Sequence, residues 1–304
     1  MHGVELHHLR SFLLAVDLGS FAAAAAALSY TGPAISQHVA ALEHELGVAL
    51  LVRQPRGVAP TAAGAVLYER GRHLLDLVDG VVKDVRDAAL APSTVRVGAF
   101  STAAQFLLPP VLSRLLTTHP DLEVVLIDRE PPDGFADVHA GRLDVTVTHR
   151  YSGVDAVDPQ GLTVEPLLRD PLVLLVPDSH PSADHATLRS FASARWISGP
   201  PDAQNHVALE WAAARAGFVP DVAFETTDYA VTTTLVASGL GPAFVPALTL
   251  DRVPEGVRVV SLTGVAGLER VISLVYREPV RSDALALVLD ELREAGRSAA
   301  KMVG

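Results

Sequence analysis

The spacing of apolar residues divides the chain into an all-helical beginning and an alternating remainder. Leu6, Leu9, Phe12, Leu13 and Val16 recur at helical intervals and predict a first helix that ends at Gly19. Ser20 is placed to cap a short second helix, Phe21 to Leu28, whose interior is six alanines. After Ser29-Tyr30, Thr31 can cap a third helix, with Pro33 in its first turn and Gly47 just past its end. Ile35, Val39, Leu42 and Leu46 give that helix one apolar face. The other face carries Ser36, Gln37, His38 and Ala40, which are small or hydrogen-bonding and hardly charged. A merely solvated face is usually charged; this one suits contact with base edges in a major groove. Two helices joined by so short a turn form a helix-turn-helix arrangement.

The pattern then shortens. Ala49 to Arg53 reads as a strand, Gln54 to Gly57 as a turn and Val58 to Pro60 as the returning strand. This hairpin has the size of a wing, with Arg53 and Arg56 placed to meet phosphate or the minor groove. Thr61 caps a long helix running to about Leu90, striped by Leu67, Leu74, Leu75, Val78, Val81, Val82 and Val85. At 1.5 Å per residue it spans roughly 42 Å. So long a stripe exceeds what the small N-terminal unit can bury, so a helix from a second copy is expected to cover it; the alternative is packing on the chain's own C-terminal half. Ala91-Pro92-Ser93 ends the helix as a hinge.

From Thr94 strands and helices alternate. TVRVGA, LEVVLID, LDVTVTH, PLVLLVP, PAFVP, VRVVSL and VISLVY read as strands. Helices are expected from Ser101 to about Thr117, Asp133 to Ala140, Ala203 to Ala216, Asp228 to Ser238 and Ser282 to about Gly296. The alternation predicts an α/β fold with a mostly parallel sheet covered on both faces.

Two sets of motifs carry a family resemblance. ELHHLRSFLLAVDLGSFAAAAAAL, PAISQHVAALEHELGVALLVR and TAAGAVL, collinear over residues 5–64, resemble the N-terminal domain of the LysR-type transcriptional regulators. VRVGAFSTAAQFLLPPVL, GRLDVTV, LVLLVPDSHP and TLVASGLGPAFVP resemble, in order, the effector domain of the same family. The resemblance implies a winged helix-turn-helix (1–61), a linker helix that pairs subunits (62–91), and an effector-binding domain (92–304). That domain is two-lobed, like periplasmic binding proteins, with lobe one about 94–166 plus 270–300 and lobe two about 167–269. Thr31-Gly32 stands where the family usually has Ser-Gln, and Gln37 where an arginine is common.

Composition qualifies this picture. The chain has 304 residues, 49% of them hydrophobic and 19% charged, as expected of globular domains. Its net charge of −11 opposes nucleic-acid binding through bulk electrostatics, so DNA contact must rest on few, well-placed groups. Having no cysteine, it offers no disulfide, zinc–thiolate or iron–sulfur chemistry. No export signal and no apolar run near the ~18 residues of a membrane span are visible, so a cytoplasmic protein without membrane contact is expected. No GxSxG, GxxxxGK[ST] or HExxH motif supports an enzyme. A solute-binding protein would explain the second half but not the helix-turn-helix. His2, His7 and His8 lie near the N-terminus without a carboxylate cluster, and no metal or cofactor is expected.

The candidate DNA contacts are Thr31, Pro33, Ser36, Gln37, Arg53 and Arg56, with Ser36 and Gln37 at base edges and Thr31, Arg53 and Arg56 at phosphates. In the effector half, ligands of open α/β sheets sit where strand C-termini and helix N-termini converge. That rule and the resemblance together point to Ser101, Thr102, His149, Ser198, Thr226 and Pro246, around a small and preferably anionic effector; several of these also read as simple helix caps or surface residues. The expected partners are an imperfectly palindromic double-stranded operator, a second copy in a homodimer or homotetramer, and RNA polymerase if the protein activates.

Overall fold

A computed structural model describes residues 4–54, 57–89, 94–157, 159–181, 185–250, 253–264 and 267–303. The chain divides into two units, residues 1–91 with 139–142, and 92–138 with 143–304.

In the first unit, α1 (Leu6–Asp17), α2 (Phe21–Leu28) and α3 (Gly32–Leu46) precede a hairpin, β1 (Leu51–Gln54) and β2 (Gly57–Pro60), and the long α4 (Ala62–Ala89). The caps are those that the side chains predict. Ser20 Oγ accepts from the Ala23 amide at 3.4 Å, Thr31 Oγ1 from Ala34 at 3.3 Å and Thr61 Oγ1 from Gly64 at 3.0 Å. Ser29 turns the chain between α2 and α3 in the left-handed region, at φ 57°. Leu9, Phe12, Leu13, Val39, Leu42 and Leu50 form one core cluster, and Ala15, Ala24, Ala25 and Ile35 a second. The alanines of α2 therefore serve close helix packing, while Leu46 of the expected apolar face stays 40% exposed.

Glu43 locks the hairpin to α3: its Oε1 accepts from the Leu50 and Leu51 amides at 2.7 and 3.1 Å. The hairpin is antiparallel, with Leu51 opposite Pro60 and Gln54 opposite Gly57. Two glycines permit its close approach to the helices. A Cβ on Gly57 (φ +133°) would stand 2.0 Å from the Gly19 carbonyl oxygen, and one on Gly64 would stand 2.0 Å from that of Leu50. The α4 stripe splits in two. Leu67 and Leu75 pack on the α1–α3 core, whereas Val66, Leu74, Leu77, Val81, Val82 and Val85 are exposed.

The second unit contains β3 (Thr94–Ala99), α5 (Ser101–Phe106), α6 (Leu108–Thr118), β4 (Glu123–Asp128), α7 (Asp133–His139), β5 (Val145–Tyr151), β6 (Thr163–Pro177), β7 (His185–Thr187), β8 (Arg195–Ser198), α8 (Gln204–Arg215), β9 (Asp221–Glu225), α9 (Tyr229–Ala237), β10 (Ala243–Pro246), β11 (Val257–Thr263), β12 (Glu269–Tyr276) and α10 (Asp283–Val303). The single helix expected from Ser101 is broken at Leu107, because Pro109 and Pro110 start a new helix rather than continue the old one. Strands β7 and β8 lie in a stretch that the pattern leaves unassigned.

The sheet is mixed, not mostly parallel. Its order is β4-β3-β5-β12-β6-β10-β8-β9, with β11 joining β6 to β7. β3 is parallel to β4 and β5, and β8 to β9 and β10. β12 runs antiparallel to both β5 and β6, and β10 and β11 run antiparallel to β6. The 15-residue β6 is shared by both lobes. Thr163 to Pro171 pairs with β12, and Leu172 onward pairs with β10, so the crossing falls a few residues beyond the expected 166/167 division. One core surrounds Val97, Leu115, Ile272 and Leu292; another surrounds Phe191, Trp196 and Leu209.

Gly64→Ala should lose about 1–3 kcal/mol, because backbone, not a flexible side chain, blocks the new methyl. Gly32→Ala, where a Cβ meets nothing within 4 Å, should gain about 0.4–1 kcal/mol. Urea denaturation midpoints of the two variants test both signs.

Candidate nucleic-acid interface and effector cleft

The exposed side of α3 begins at its N-terminus. Thr31, Pro33 and Gln37 are exposed and Ser36 half-buried. The Thr31 hydroxyl already accepts the cap bond, which leaves its proton for an outside acceptor. His38 does not share the outer face in which the sequence pattern groups it. It turns back on α1, with Nδ1 2.8 Å from Ser11 Oγ, and its ring lies near those of His7, His8 and Tyr30. Burial and the neighbouring imidazoles hold His8 and His38 below the usual histidine range. Arg53 lies on β1, opposite Val58; its side chain and all of Arg56 lie outside the described residues. Arg10 is bound to Asp79 at 2.9 Å, and Asp17 accepts from the Tyr68 hydroxyl. Two of the nearby carboxylates have internal partners, Glu43 in backbone amides and Asp17 in Tyr68 and Arg72.

In the second unit a cavity of about 650 Å³ opens at the sheet crossing, a size suited to a small metabolite. At its base is Arg270, 1% exposed, the second residue of β12. Its Nε donates to Asp170 Oδ2 at 2.8 Å, and its Nη1 to Thr102 Oγ1 at 2.9 Å and Tyr151 Oη at 3.3 Å. Its Nη2 is buried with no hydrogen-bond partner among the described residues. The guanidinium carbon lies 5.2 Å from the Phe100 ring centroid. Asp170 is held in turn by the Leu248 amide, at 2.9 Å. Burial pushes the Asp170 carboxyl up, and Arg270 opposes the shift. Burial works against the Arg270 charge, but Tyr151 and Asp170 outweigh it and its pKa stays raised. Tyr151 and Tyr229 share a 2.6 Å hydroxyl contact, and burial pushes Tyr229 well up, so its phenol stays protonated.

His149 lies 3.3 Å from Glu130 through Nε2. Burial lowers its pKa, which favours the neutral ring; Nε2–H then donates to Glu130, and the buried Nδ1 remains as an acceptor with no partner among the described residues. That bond holds the Glu130 carboxyl below its usual range. Asp202 and Asp228 add two further carboxylates to the lining.

Ser101, Thr102 and His149 line this cavity. Ser198, Thr226 and Pro246 do not. Ser198 is buried and its carbonyl accepts from the Thr226 amide at 2.7 Å. The Thr226 hydroxyl accepts from the Asp228 amide, while its neighbour Thr227 reaches the lining. Pro246 is paired in the sheet opposite Leu172. The sequence pattern does not single out Arg270, Asp170, Tyr151, Tyr229, Glu130 or Gln204. A signal existed for two of them: Asp170 and Arg270 are charges set within or against apolar strand runs, LLRDPLVLLV and ERVISLVY, where an unpaired charge is costly.

The LysR substrate binding domain matches residues 88–297, and the bacterial regulatory helix-turn-helix protein of the lysR family matches residues 6–65. The chain is 29% identical over 295 residues to the probable HTH-type transcriptional regulator LrrA of Synechococcus elongatus, covering 96% of this chain and 97% of that protein. It is 27% identical to the regulator AlsR of Bacillus subtilis over 80% of this chain and 81% of that one. Full-length BenM superposes with a TM-score of 0.58 at 24% identity, covering 97% of each chain. Full-length CbnR, solved with its target DNA, gives 0.53 at 25% identity over 96% of this chain and 99% of that one. A helix-turn-helix with a capped, uncharged outer face, followed by a two-lobed domain with a cavity at its sheet crossing, places this chain in the LysR family of DNA-binding transcription regulators, which carry an effector-binding domain and are not enzymes.

Proposed function

We propose that this regulator reads its operator through the exposed N-terminal half of α3 and senses a small carboxylate-bearing molecule seated on Arg270. The single observation that carries the second part is the buried Nη2 of Arg270, a charged donor without a partner among the described residues, at the base of the cavity. A carboxylate oxygen supplies the missing acceptor, and Ser101 and Thr102 stand beside it. Arg270 is already neutralised by Asp170, and Glu130, Asp202 and Asp228 line the same cavity. A simple dianion fits this lining poorly. An effector with an acid group at one end and hydroxyl or ammonium donors at the other satisfies both ends.

In the first unit Gln37 is the residue for a base edge, able to pair bidentately with adenine, with Ser36 beside it. Thr31, Pro33, Arg53 and Arg56 set the backbone register. The exposed stripe Leu74, Leu77, Val81 and Val85 calls for the same stripe of a second copy, which would set two α3 helices about 34 Å apart on an imperfect palindrome, in a dimer or tetramer. Effector binding would then shift the balance between closures of the two lobes and so the DNA geometry, with RNA polymerase as a further partner where the effect is activation. No helix among the described residues is long and apolar enough to cross a membrane, which agrees with a place in the cytoplasm.

Gln37→Ala should cost about 1–3 kcal/mol on the specific site and relax one base position; equal loss on scrambled sequences in fluorescence anisotropy would make Gln37 a positioning residue. Arg53→Ala should weaken all sequences alike and lower the salt slope by about one unit. Thermal melting against a panel of hydroxy and amino acids should find a compound that adds about 2.7 kcal/mol at 100 times its Kd. Arg270→Lys, which keeps the charge and loses the fork, should weaken that compound at least tenfold while effector-free DNA binding is unchanged. Unaltered affinity in Arg270→Lys would remove Arg270 from the site.

A further inference from the structure

A second set of unabsorbed groups lies in the first unit. The helix packing that builds the helix-turn-helix brings His38, from the middle of α3, against His7 and His8 at the start of α1. One ring nitrogen from each lies within 4.8 Å of the others. Ring centroids are separated by 4.2 Å for His7–His8, 4.9 Å for His8–His38 and 5.1 Å for His7–His38. Sequence alone misses this cluster, because its third member is some thirty residues downstream and acts through the fold.

The hydrogen bonds around the cluster set the chemistry of its nitrogens. Ser11 is fully buried, and its hydroxyl proton goes to the His7 carbonyl, at 2.9 Å, because a carbonyl can only accept. Ser11 Oγ must therefore accept from His38 Nδ1–H, at 2.8 Å. In the neutral ring of His38 this bond puts the lone pair on Nε2. A metal-ligating histidine characteristically has its second ring nitrogen held in this way. His7 Nδ1 lies 3.9 Å from the Glu5 carboxylate, beyond hydrogen-bond distance, so the ring keeps a nitrogen for an ion.

We infer that His7, His8 and His38 form a binding site for a divalent transition-metal ion that clamps the first turn of α1 to the recognition helix α3. Three imidazoles, with no thiolate in the chain, select borderline ions such as zinc, nickel, cobalt or copper over magnesium and calcium, which require oxygen ligands. Three protein nitrogens leave a fourth tetrahedral position for water or another ligand. Zn–N bonds of 2.0–2.1 Å require nitrogens about 3.3 Å apart. The rings must close by about 1–1.5 Å, and the His7 side chain, 51% exposed, has the rotamer freedom to do so. Loading would also bring two positive charges to a recognition helix that holds no lysine or arginine.

The test uses the full chain stripped with EDTA and titrated with zinc chloride alone by calorimetry, with cobalt(II) absorption as the report on ligand field. One ion per chain, a raised Tm and a tetrahedral cobalt spectrum are expected. The Kd for zinc should weaken at least tenfold in His7→Asn, whose exposed position keeps the fold safe, and in His38→Gln. Ser11→Ala should weaken it about 10–100-fold through loss of the ring's support, with the helical circular dichroism unchanged. His2→Asn should bind as the parent does. No saturable uptake, uptake indifferent to both His7→Asn and His38→Gln, or uptake lost only in His2→Asn would overturn the site. These readouts need neither DNA nor effector, so their failure leaves the regulatory reading untouched.

Discussion

The effector unit depends on one buried ion pair. Arg270 is the second residue of β12 and Asp170 sits in β6 just before that strand changes partners, so their 2.8 Å contact marks the crossing between the lobes. The pair is supported by groups from around the cavity: Thr102 from α5, Tyr151 from β5, and the Leu248 amide from the turn after β10. Two charges this deep cost more to desolvate than a surface pair returns, and replacing such pairs by apolar residues is often neutral or stabilising. Stability therefore does not account for it. A guanidinium with three of its bonding directions satisfied and Nη2 without a partner among the described residues is the feature on which the proposed acid-bearing effector rests. It also lies where a ligand touches both lobes at once.

The DNA-binding unit follows a different economy. With a net charge of −11 on the chain and no lysine or arginine in α3, long-range attraction to phosphate is weak. What remains is shape: a capped helix whose N-terminal half exposes Pro33, Gln37 and Ala40, braced by Glu43 against the hairpin and followed by a helix with an unburied apolar stripe. A single such unit offers few contacts. Under the proposed pairing through α4 these contacts would be doubled, and a modest half-site would become a selective operator by multivalency rather than by any one residue.

Much of the first unit was legible in the sequence, because its signals are local. Ser20, Thr31 and Thr61 cap helices from positions adjacent to those helices, and Gly47 ends α3 in the left-handed region. The effector unit was legible in outline and misleading in detail. Apolar strand runs identify strands but not their direction, so the antiparallel β12 and the shared β6 are invisible in them, and Pro109-Pro110 restarts the helix that is expected to run unbroken from Ser101. Three of the six residues expected at the cleft line the cavity. Ser101, Thr102 and His149 lie at element ends, where ligand residues are sought first. Arg270, Asp170 and Tyr229 acquire meaning only when distant strands meet, and Ser198, Thr226 and Pro246 turn to backbone and sheet contacts that spacing does not reveal. The histidine triad shows the same limit: His7 and His8 are a pair in sequence and a cluster only once α3 packs on α1.

In the proposed function, DNA reading in one unit responds to a ligand in the other. The most direct measurement is a footprint of the full chain on the DNA flanking its own gene, with and without whichever acid raises its Tm. Two protected half-sites about one helical turn or a multiple apart, with a protection pattern that changes when the acid is added, are predicted. A single unpaired site, or a footprint indifferent to a ligand that demonstrably binds, would contradict it.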